Sequence, residues 1–497
     1  MTQIIGIDLG STYSVAAIID EIGTPTIVED KNKQRNDNLI PSVISFTSNG
    51  SVKIGEGPRR SLELDKNTVS RWKRHMGSQK KYKIHDQTLK PEDLSALLLK
   101  EIKMIIEQTT GDIAHAVVTI PANFSSNARE ATLKAANKAG LNVEDIINEP
   151  TAAALYFAYK EGFDLNGKYA VFDLGGGTFD ITILKTKGKK LEVLGSDGVH
   201  ELGGQDFDHA LQNIVGNKYK EKTGEELEKE DYTIFNAEED KKLLSTNNSV
   251  MIRVNRKTLK ITRDEFEEAI STKIDQTSMK CNLLLEELKL KAGDIDGVIL
   301  AGGSTRMPCV QKVAQDIFSQ ETMPVGNPDE MIALGAAIYA ATTSDDSLLN
   351  KAQKESIENV NLNNSTAEYY GITFLETTND GSYILKVRNL IKRGEILPAK
   401  HTESFSATNP DQSLFRVTES RTLEDDPEWV HVKHEGYLDH PGQKVGDEIT
   451  VTFAYDINQI MECSFLHVPS GIKKEVSISF DSDIDQTDDD INKFLID

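Results

Sequence analysis

Apolar residues come in short runs through the first 340 positions, each cut by glycine, proline or a polar pair. Ile4–Ile19 reads as strand, turn, strand: Ile4-Ile5-Gly6-Ile7 leads into Asp8-Leu9-Gly10, small hydroxyl residues follow, and Val15–Ile19 runs out. Tyr169–Leu184 repeats that design, with Gly175-Gly176-Gly177 as its turn and alternating β-formers beyond. Pro41–Phe46 and Val52–Gly55 read as further short strands. Leu94, Leu97, Leu98, Ile102 and Ile105 place one apolar stripe on a helix from Asp93 to Gln108. Ala116–Ile120 is a strand ending at Pro121, and Ser125 caps a helix that runs to Gly140. Asp145–Leu155 opens another helix, with Pro150 near its first turn and Glu149 just before it. A charged helical region spans Phe207 to Leu244. Val298–Pro308 then reads as strand, Gly302-Gly303 turn and helix, and Asn327–Ile338 as a capped helix. Strand and helix alternate throughout, which predicts an α/β domain.

The pattern changes near Thr342. Ser344–Thr366 is polar and reads as linker. From Gly371 to Phe480 short alternating strands take over, among them Tyr383–Arg388, Leu414–Val417, Glu448–Phe453 and Glu475–Phe480. Turn signals separate them at Asn379–Gly381, Asn409–Asp411, Pro441-Gly442 and Ser470-Gly471. An antiparallel β-sandwich is expected. The predicted division is an α/β domain over 1–343, a linker over 344–366, a sandwich over 367–480 and an acidic tail over 481–497, too short for a helical domain.

Charge narrows the partners. With 56 basic against 79 acidic residues the net charge is −23, which argues against nucleic acid and anionic membranes. The chain shows no apolar run long enough to span a bilayer and no secretory signal pattern. Cys281, Cys309 and Cys463 lack metal-site spacing, so a reducing, cytoplasmic setting is expected.

The two matching turns carry the candidate chemistry. Glycine lets backbone N–H groups converge on phosphate oxygens, and Asp173 and Asp180 flank one such nest as candidate organisers of Mg²⁺ and its waters. Asp8-Leu9-Gly10 repeats Asp173-Leu174-Gly175, which suggests a duplicated domain holding a polyphosphate from both sides. Taken singly, Lys73 in Arg71–Gly77 reads as surface, Glu149 as a helix-start charge and Gly302-Gly303 as an ordinary α/β turn.

Together these residues resemble the seventy-kilodalton heat-shock chaperones of the actin-like ATPase superfamily. The resemblance runs from Ile4 to about Phe480 and rests on Ile7-Asp-Leu-Gly, Val118-Thr-Ile-Pro, Ile147-Asn-Glu-Pro-Thr-Ala-Ala-Ala, Asp173–Asp180 and Gly302–Pro308. It implies an actin-like duplicated ATPase domain, two lobes around a nucleotide cleft, followed by a peptide-binding β-sandwich. By position it implies ATP or ADP held by Gly10, Ser11, Thr12, Tyr13, Gly175, Gly176, Gly177, Thr178, Gly203 and Gly204. Asp8 and Asp173 would order Mg²⁺ through water, with K⁺ as a further candidate ion. Lys73 and Glu149 would align the attacking water, with Asp173, Thr178 and Asp180 beside it. Glu238, Lys241, Ser245, Gly302, Gly303, Ser304, Arg306 and Asp329 would surround the adenosine. Pro121 and Arg129 would relay nucleotide state. Ile372, Phe374, Leu375, Phe405, Phe415 and Val417 would line the pocket for extended or unfolded polypeptide.

The sequence departs from the family in several places. The family's helical lid has no counterpart after the sandwich, and Phe415 stands where a smaller aliphatic residue is usual. The linker at Glu358–Asn364 is polar where the family's is apolar. Glu144-Asp145 replaces a basic pair that meets J-domain co-chaperones, and the hairpin over Asn247–Lys260, a site for exchange factors, is short. An ATP-dependent chaperone is the expected function. The alternatives are an ATP-sensing scaffold for one dedicated partner and a small-molecule kinase of the same superfamily, which would need no sandwich.

Overall fold

The computed structural model describes residues 3–30, 38–48, 50–323, 325–366, 368–378, 382–442, 444–456, 461–477, 491 and 494–496. The turn expected at Asn379–Gly381, residues 478–480 of the last strand, the acidic stretch 481–490 and the side chain of Glu144 lie outside the described residues. The chain divides into two compact units: Met1–Leu191 with Ser196–Asn361 and Gln486–Asp497, and Glu192–Gly195 with Leu362–Asp485.

The first unit uses one plan twice. One sheet runs Val143–Asn148, Ile113–Ile120, Gln3–Asp8, Tyr13–Ile19, Pro25–Ile27 in spatial order. The other runs Thr322–Met323, Gly297–Ala301, Asn166–Leu174, Phe179–Lys187, Lys190–Val199. In each, a central strand has a parallel neighbour on one side and its antiparallel hairpin partner on the other. The helices repeat as well: Pro91–Thr109, Ser126–Lys138 and Glu149–Lys160 in one half, Arg263–Glu287, Pro308–Phe318 and Met331–Thr343 in the other.

Small residues let the halves meet. Helices Glu149–Lys160 and Met331–Thr343 lie against each other, with Ala152, Ala153, Ala154, Ala333, Ala336 and Ala337 all buried. A Cβ on Gly335 would sit 1.8 Å from the Ala152 carbonyl oxygen, and one on Gly6 would sit 2.1 Å from the Ala337 nitrogen. Any larger side chain at either glycine would force the helix off its neighbour.

Several boundaries differ from the sequence expectation, among them that of the helix read over Asn327–Ile338, which spans Met331–Thr343. Asp145–Asn148 completes the strand Val143–Asn148, and the helix opens at Glu149, which lies in its first turn. Buried Ile146 and Ile147, paired with Val118 and Thr119, favour the sheet over a helix start. The stretch expected as a polar linker carries a helix, Lys351–Ile357, capped by Asn350. Its polar side chains are anchors: Asn350 Nδ2 donates to the Glu21 carbonyl at 3.0 Å and Gln353 Nε2 to the Ile19 carbonyl at 2.9 Å.

The second unit is two four-stranded antiparallel sheets. One is ordered Tyr383–Ile391, Tyr369–Thr377, Asp411–Ser420, His431–His440, and the other Ala399–Ser406, Glu448–Tyr455, Met461–His467, Ile472–Ser477. Alternate residues of both turn inward, including Ile391, Val417, Phe453 and Phe465. Residues after the second unit return to the first. Ile491 and Phe494 are buried in its core, so this end of the chain is structural there and not only an acidic tail.

Candidate functional site

The first unit contains a cavity of about 690 Å³ into which both glycine turns project. Asp8 ends one central strand and Asp173 lies at the same place in the other, so the duplication itself brings the two carboxylates to the cavity. The turns also fit into each other: a Cβ on Gly176 would sit 1.9 Å from Thr12 Oγ1, and one on Gly177 would sit 2.6 Å from Ser11 Oγ. Gly203 lies just behind, where a Cβ would sit 2.7 Å from the Gly176 carbonyl carbon. The Gly204 and Gln205 N–H groups donate to the Gly175 and Gly176 carbonyls at 3.0 and 2.9 Å. Only glycine permits this approach.

The expected residues converge. Asp8, Gly10, Ser11, Thr12, Tyr13, Lys73, Glu149, Asp173, Gly175, Gly176, Gly177, Thr178, Gly204, Glu238, Lys241, Ser245, Gly302, Gly303, Ser304, Arg306 and Asp329 all line the cavity. Asp180 lies beneath it, paired across the hairpin from Asp173. Pro121 and Arg129 are not in the lining. Arg129 is buried and donates to the Phe124 and Ala122 carbonyls and to Asn148 Oδ1, each at 3.2 Å. It therefore ties the loop after Pro121 to the residue preceding Glu149.

Charge is buried here on purpose-built partners. Lys73 Nζ donates to Glu149 Oε1, both side chains being almost wholly enclosed, and Lys73 lies 5.8 Å over the Phe124 ring. Asp8 accepts from Thr119 Oγ1 at 3.0 Å, yet burial first and Glu149 second push its carboxyl up to about 7. Burial and Glu149 likewise push Asp180 up to about 8 and Asp173 well above the ordinary carboxylate range. Both carboxylate oxygens of Asp180 are buried, and the Asn123 backbone and Lys73 offset only part of that cost. Carboxyls held this high, beside two glycine turns that line the same cavity, suit a site completed by a cation and a polyphosphate. Among the described residues no three His, Cys, Asp or Glu side chains converge as a direct metal set.

Other contacts were not legible in the sequence. Tyr13 donates its hydroxyl to Glu238 Oε1 at 2.9 Å, and Arg59 Nη2 stands 3.0 Å from Glu238 Oε2 and 2.7 Å from Glu239 Oε1. Lys242 reaches Glu238 at 2.9 Å, and against its burial Lys242 and Arg59 hold the Glu238 carboxyl down at about 2. These groups join the two halves at the cavity. Arg306 is fixed by Asp329, Nη2 to Oδ2 at 2.7 Å, and Lys241 by Asp208 at 2.5 Å. Nothing in Pro58-Arg59-Arg60 distinguishes a bridging arginine from a surface one; only the fold does.

In the second unit the expected pocket positions separate. Ile372, Phe415 and Val417 are buried in the sandwich core, Phe374 and Phe405 form a half-buried pair with centroids 5.9 Å apart, and Leu375 is exposed. The Phe415 ring stacks on Phe465 at 3.8 Å. The strands Tyr369–Thr377 and Asp411–Ser420 pair only from Tyr369↔Ser420 to Ile372↔Val417. Among the described residues each pairs beyond that point only with its outer neighbour, Leu375 opposite Leu385 and Leu414 opposite Tyr437. Two facing strand edges are thereby left open, with exposed apolar pairs on either side.

A duplicated α/β unit around a carboxylate-lined cleft, continued by an antiparallel sandwich, defines an actin-like ATPase joined to a β-sandwich module. The family model for the Hsp70 protein matches residues 4–497. The chain is 33% identical over 513 residues to the "Chaperone protein DnaK" of Mycoplasma mobile, covering all of this chain and 81% of that one. It is 32% identical to the protein of the same name from Mycoplasmopsis synoviae, covering 99% of this chain and 81% of that one. Against the Metamycoplasma hominis protein of that name the figures are 34%, 92% and 76%. This chain belongs to the Hsp70 family, and it is an ATP-hydrolysing molecular chaperone. Nucleotide binding and the binding of unfolded polypeptide follow from that membership. Among the described residues no helix is long and apolar enough to cross a membrane.

Proposed function

We propose that ATP is hydrolysed in the cavity of the first unit, with Mg²⁺ held through water by Asp8 and Asp173. A bound Mg²⁺ supplies neutralisation of phosphate charge and ordering of water. The backbone of Gly10–Tyr13 and Gly175–Thr178 cradles the phosphates, and Thr119 orients Asp8 by donating to it. Lys73 and Glu149, already joined, position the attacking water, while Thr178 and Asp180 complete its surroundings. Glu238, Lys241, Ser245, Gly302, Gly303, Ser304, Arg306 and Asp329 take the adenosine. Positioning and charge neutralisation are most of what phosphoryl transfer asks of a protein. The observation that carries the reading is the enclosed Lys73–Glu149 pair beside three carboxyls held far above their ordinary range. Isothermal titration with Mg-ATP tests it: uptake at one site is expected, and no heat at any concentration would remove the reading.

Polypeptide enters the open edges of the second unit, through main-chain hydrogen bonds to Thr373–Thr377 and Asp411–Arg416. With Phe415 filling the central position, backbone capture outweighs side-chain insertion. The buried Arg129 tie between the loop after Pro121 and Asn148 supports its role as a relay of nucleotide state. A cytoplasmic setting agrees with three free cysteines. The two-residue turn at Asn255-Arg256 makes the hairpin Ser249–Thr262 short, which disfavours the usual exchange factors, as Glu144-Asp145 disfavours the usual J-domain encounter.

A further inference from the structure

The chain beyond the second unit holds the strand that carries the lobe-bridging arginine. Phe494 packs edge to face on Phe46, ring centroids 5.5 Å apart, and Ile491 is buried in the same core. Leu495–Ile496 pair in parallel with Ser51–Val52, covering what is otherwise the outer edge of that sheet. The strand Ser51–Ile54 passes through Gly55 directly into the helix Glu56–Arg59. Gly55 N–H donates to the Val43 carbonyl at 3.0 Å and Arg59 N–H to the Gly55 carbonyl at 3.1 Å, so the helix hangs from the strand. Arg59 then spans to Glu238 and Glu239 of the opposite half.

We propose that Ile491 and the stretch Phe494–Ile496 form a releasable strap that braces strand Ser51–Ile54 and, through Arg59, slows the opening of the nucleotide cleft. Among the described residues the anchors Ile491 and Phe494 and the ladder of Leu495–Ile496 lie at the outer edge of the sheet, and an edge segment detaches sooner than the strands inside it. Detachment frees a sheet edge, and that strand's motion reaches the cleft within five residues of chain. Coupling of this kind requires one element whose two arrangements both ends bias, and here that element is the docked or released strap.

The release half of the proposal rests on the nucleotide reading of the cleft; the docking half does not. The test uses the full chain in five forms: unaltered, Phe494→Asp, Phe494→Leu, Arg59→Ala, and Phe494→Asp with Arg59→Ala. Amide exchange is followed over residues 51–54, and release of a fluorescent ADP analogue by stopped flow. Phe494→Asp is expected to speed exchange there about tenfold and release roughly three- to tenfold, while Phe494→Leu stays near the unaltered chain. Arg59→Ala is expected to speed release without changing exchange over 51–54, and the double variant to release no faster than the faster single one. Unchanged exchange in Phe494→Asp removes the strap. Faster exchange with unchanged release, or fully additive release in the double variant, removes the coupling. Failure of the unaltered chain to bind the analogue removes the release half together with the nucleotide reading, and exchange alone then judges docking.

Discussion

The cleft of the first unit and the open edge of the second bury opposite things. The cleft encloses Asp8, Asp173, Asp180, Lys73 and Glu149, groups that cost free energy to desolvate unless pairing, protonation or a ligand offsets the charge. The sandwich encloses Ile372, Phe415, Val417 and Phe465, which lower the free energy by being enclosed and imply nothing further. A buried charge announces a function; a buried phenylalanine announces a core. The cavity gathers most of the residues that the family resemblance implies for it, while the peptide positions divide into core, half-buried and exposed.

The sharpest way to break the contrast is to remove Lys73, the cation paired with Glu149 beside the aspartates. Lys73→Ala is expected to lower the ATP turnover number by on the order of 10²–10³ while nucleotide affinity stays within about threefold. It also leaves Glu149 enclosed without a partner, a loss of about 3–5 kcal/mol that a denaturant melt reads. Turnover that survives the substitution takes Lys73 out of the mechanism. In the sandwich the corresponding change is Phe415→Val, which removes the ring stacked on Phe465. We expect apolar peptides to bind about tenfold more tightly by fluorescence anisotropy, at a stability cost on the order of 1–3 kcal/mol. Weaker binding would instead make the ring part of the wall that the peptide touches.

The carboxyls sharpen the contrast through pH. Asp8, at about 7, and Asp180, at about 8, hold their protons more tightly in the folded chain than an unfolded aspartate does at about 4. The folded state therefore carries more protons in that interval, and its stability falls as pH rises from about 4 toward 7–8. The melting temperature of the nucleotide-free chain is expected to drop by several degrees from about pH 5 to about pH 8. Asp180→Asn should flatten part of that slope, and Mg-ATP should flatten more of it. A nucleotide-free melting temperature that rises over the same interval would contradict the burial of these groups.

Legibility in the sequence follows the same division. Asp8-Leu9-Gly10 and Asp173-Leu174-Gly175 reveal the duplication because the turn needs glycine and the site needs aspartate, leaving little freedom at either place. Alternation likewise reveals the sandwich strands. Residues 344–366 look like linker because polarity alone does not tell a solvated side chain from Asn350 and Gln353 donating to the carbonyls of Glu21 and Ile19. Asp145–Asn148 looks like a helix start because Pro150 is a strong signal, while the sheet neighbour that claims Ile146 and Ile147 lies more than twenty residues earlier in the chain. Arg59 and Ile491–Phe494 are illegible for one reason. Their partners, Glu238 and Phe46, are far away in sequence, and only the folded chain brings them within reach.

The mildest change tests whether the cleft's outer contacts act as a group. Tyr13→Phe removes only the hydroxyl that donates to Glu238 Oε1. Glu238 keeps Arg59 at 3.0 Å and Lys242 at 2.9 Å, so its charge stays compensated and the lobes stay bridged. One neutral donor to a carboxylate is worth about 1–2 kcal/mol at most, and a remaining charged pair offsets part of its loss. Release of a fluorescent ADP analogue is accordingly expected to rise by roughly two- to threefold, with melting temperature nearly unchanged. A rise as large as that of Arg59→Ala would show that the tyrosine hydroxyl orders the whole cluster, Glu238 following it and not the arginine.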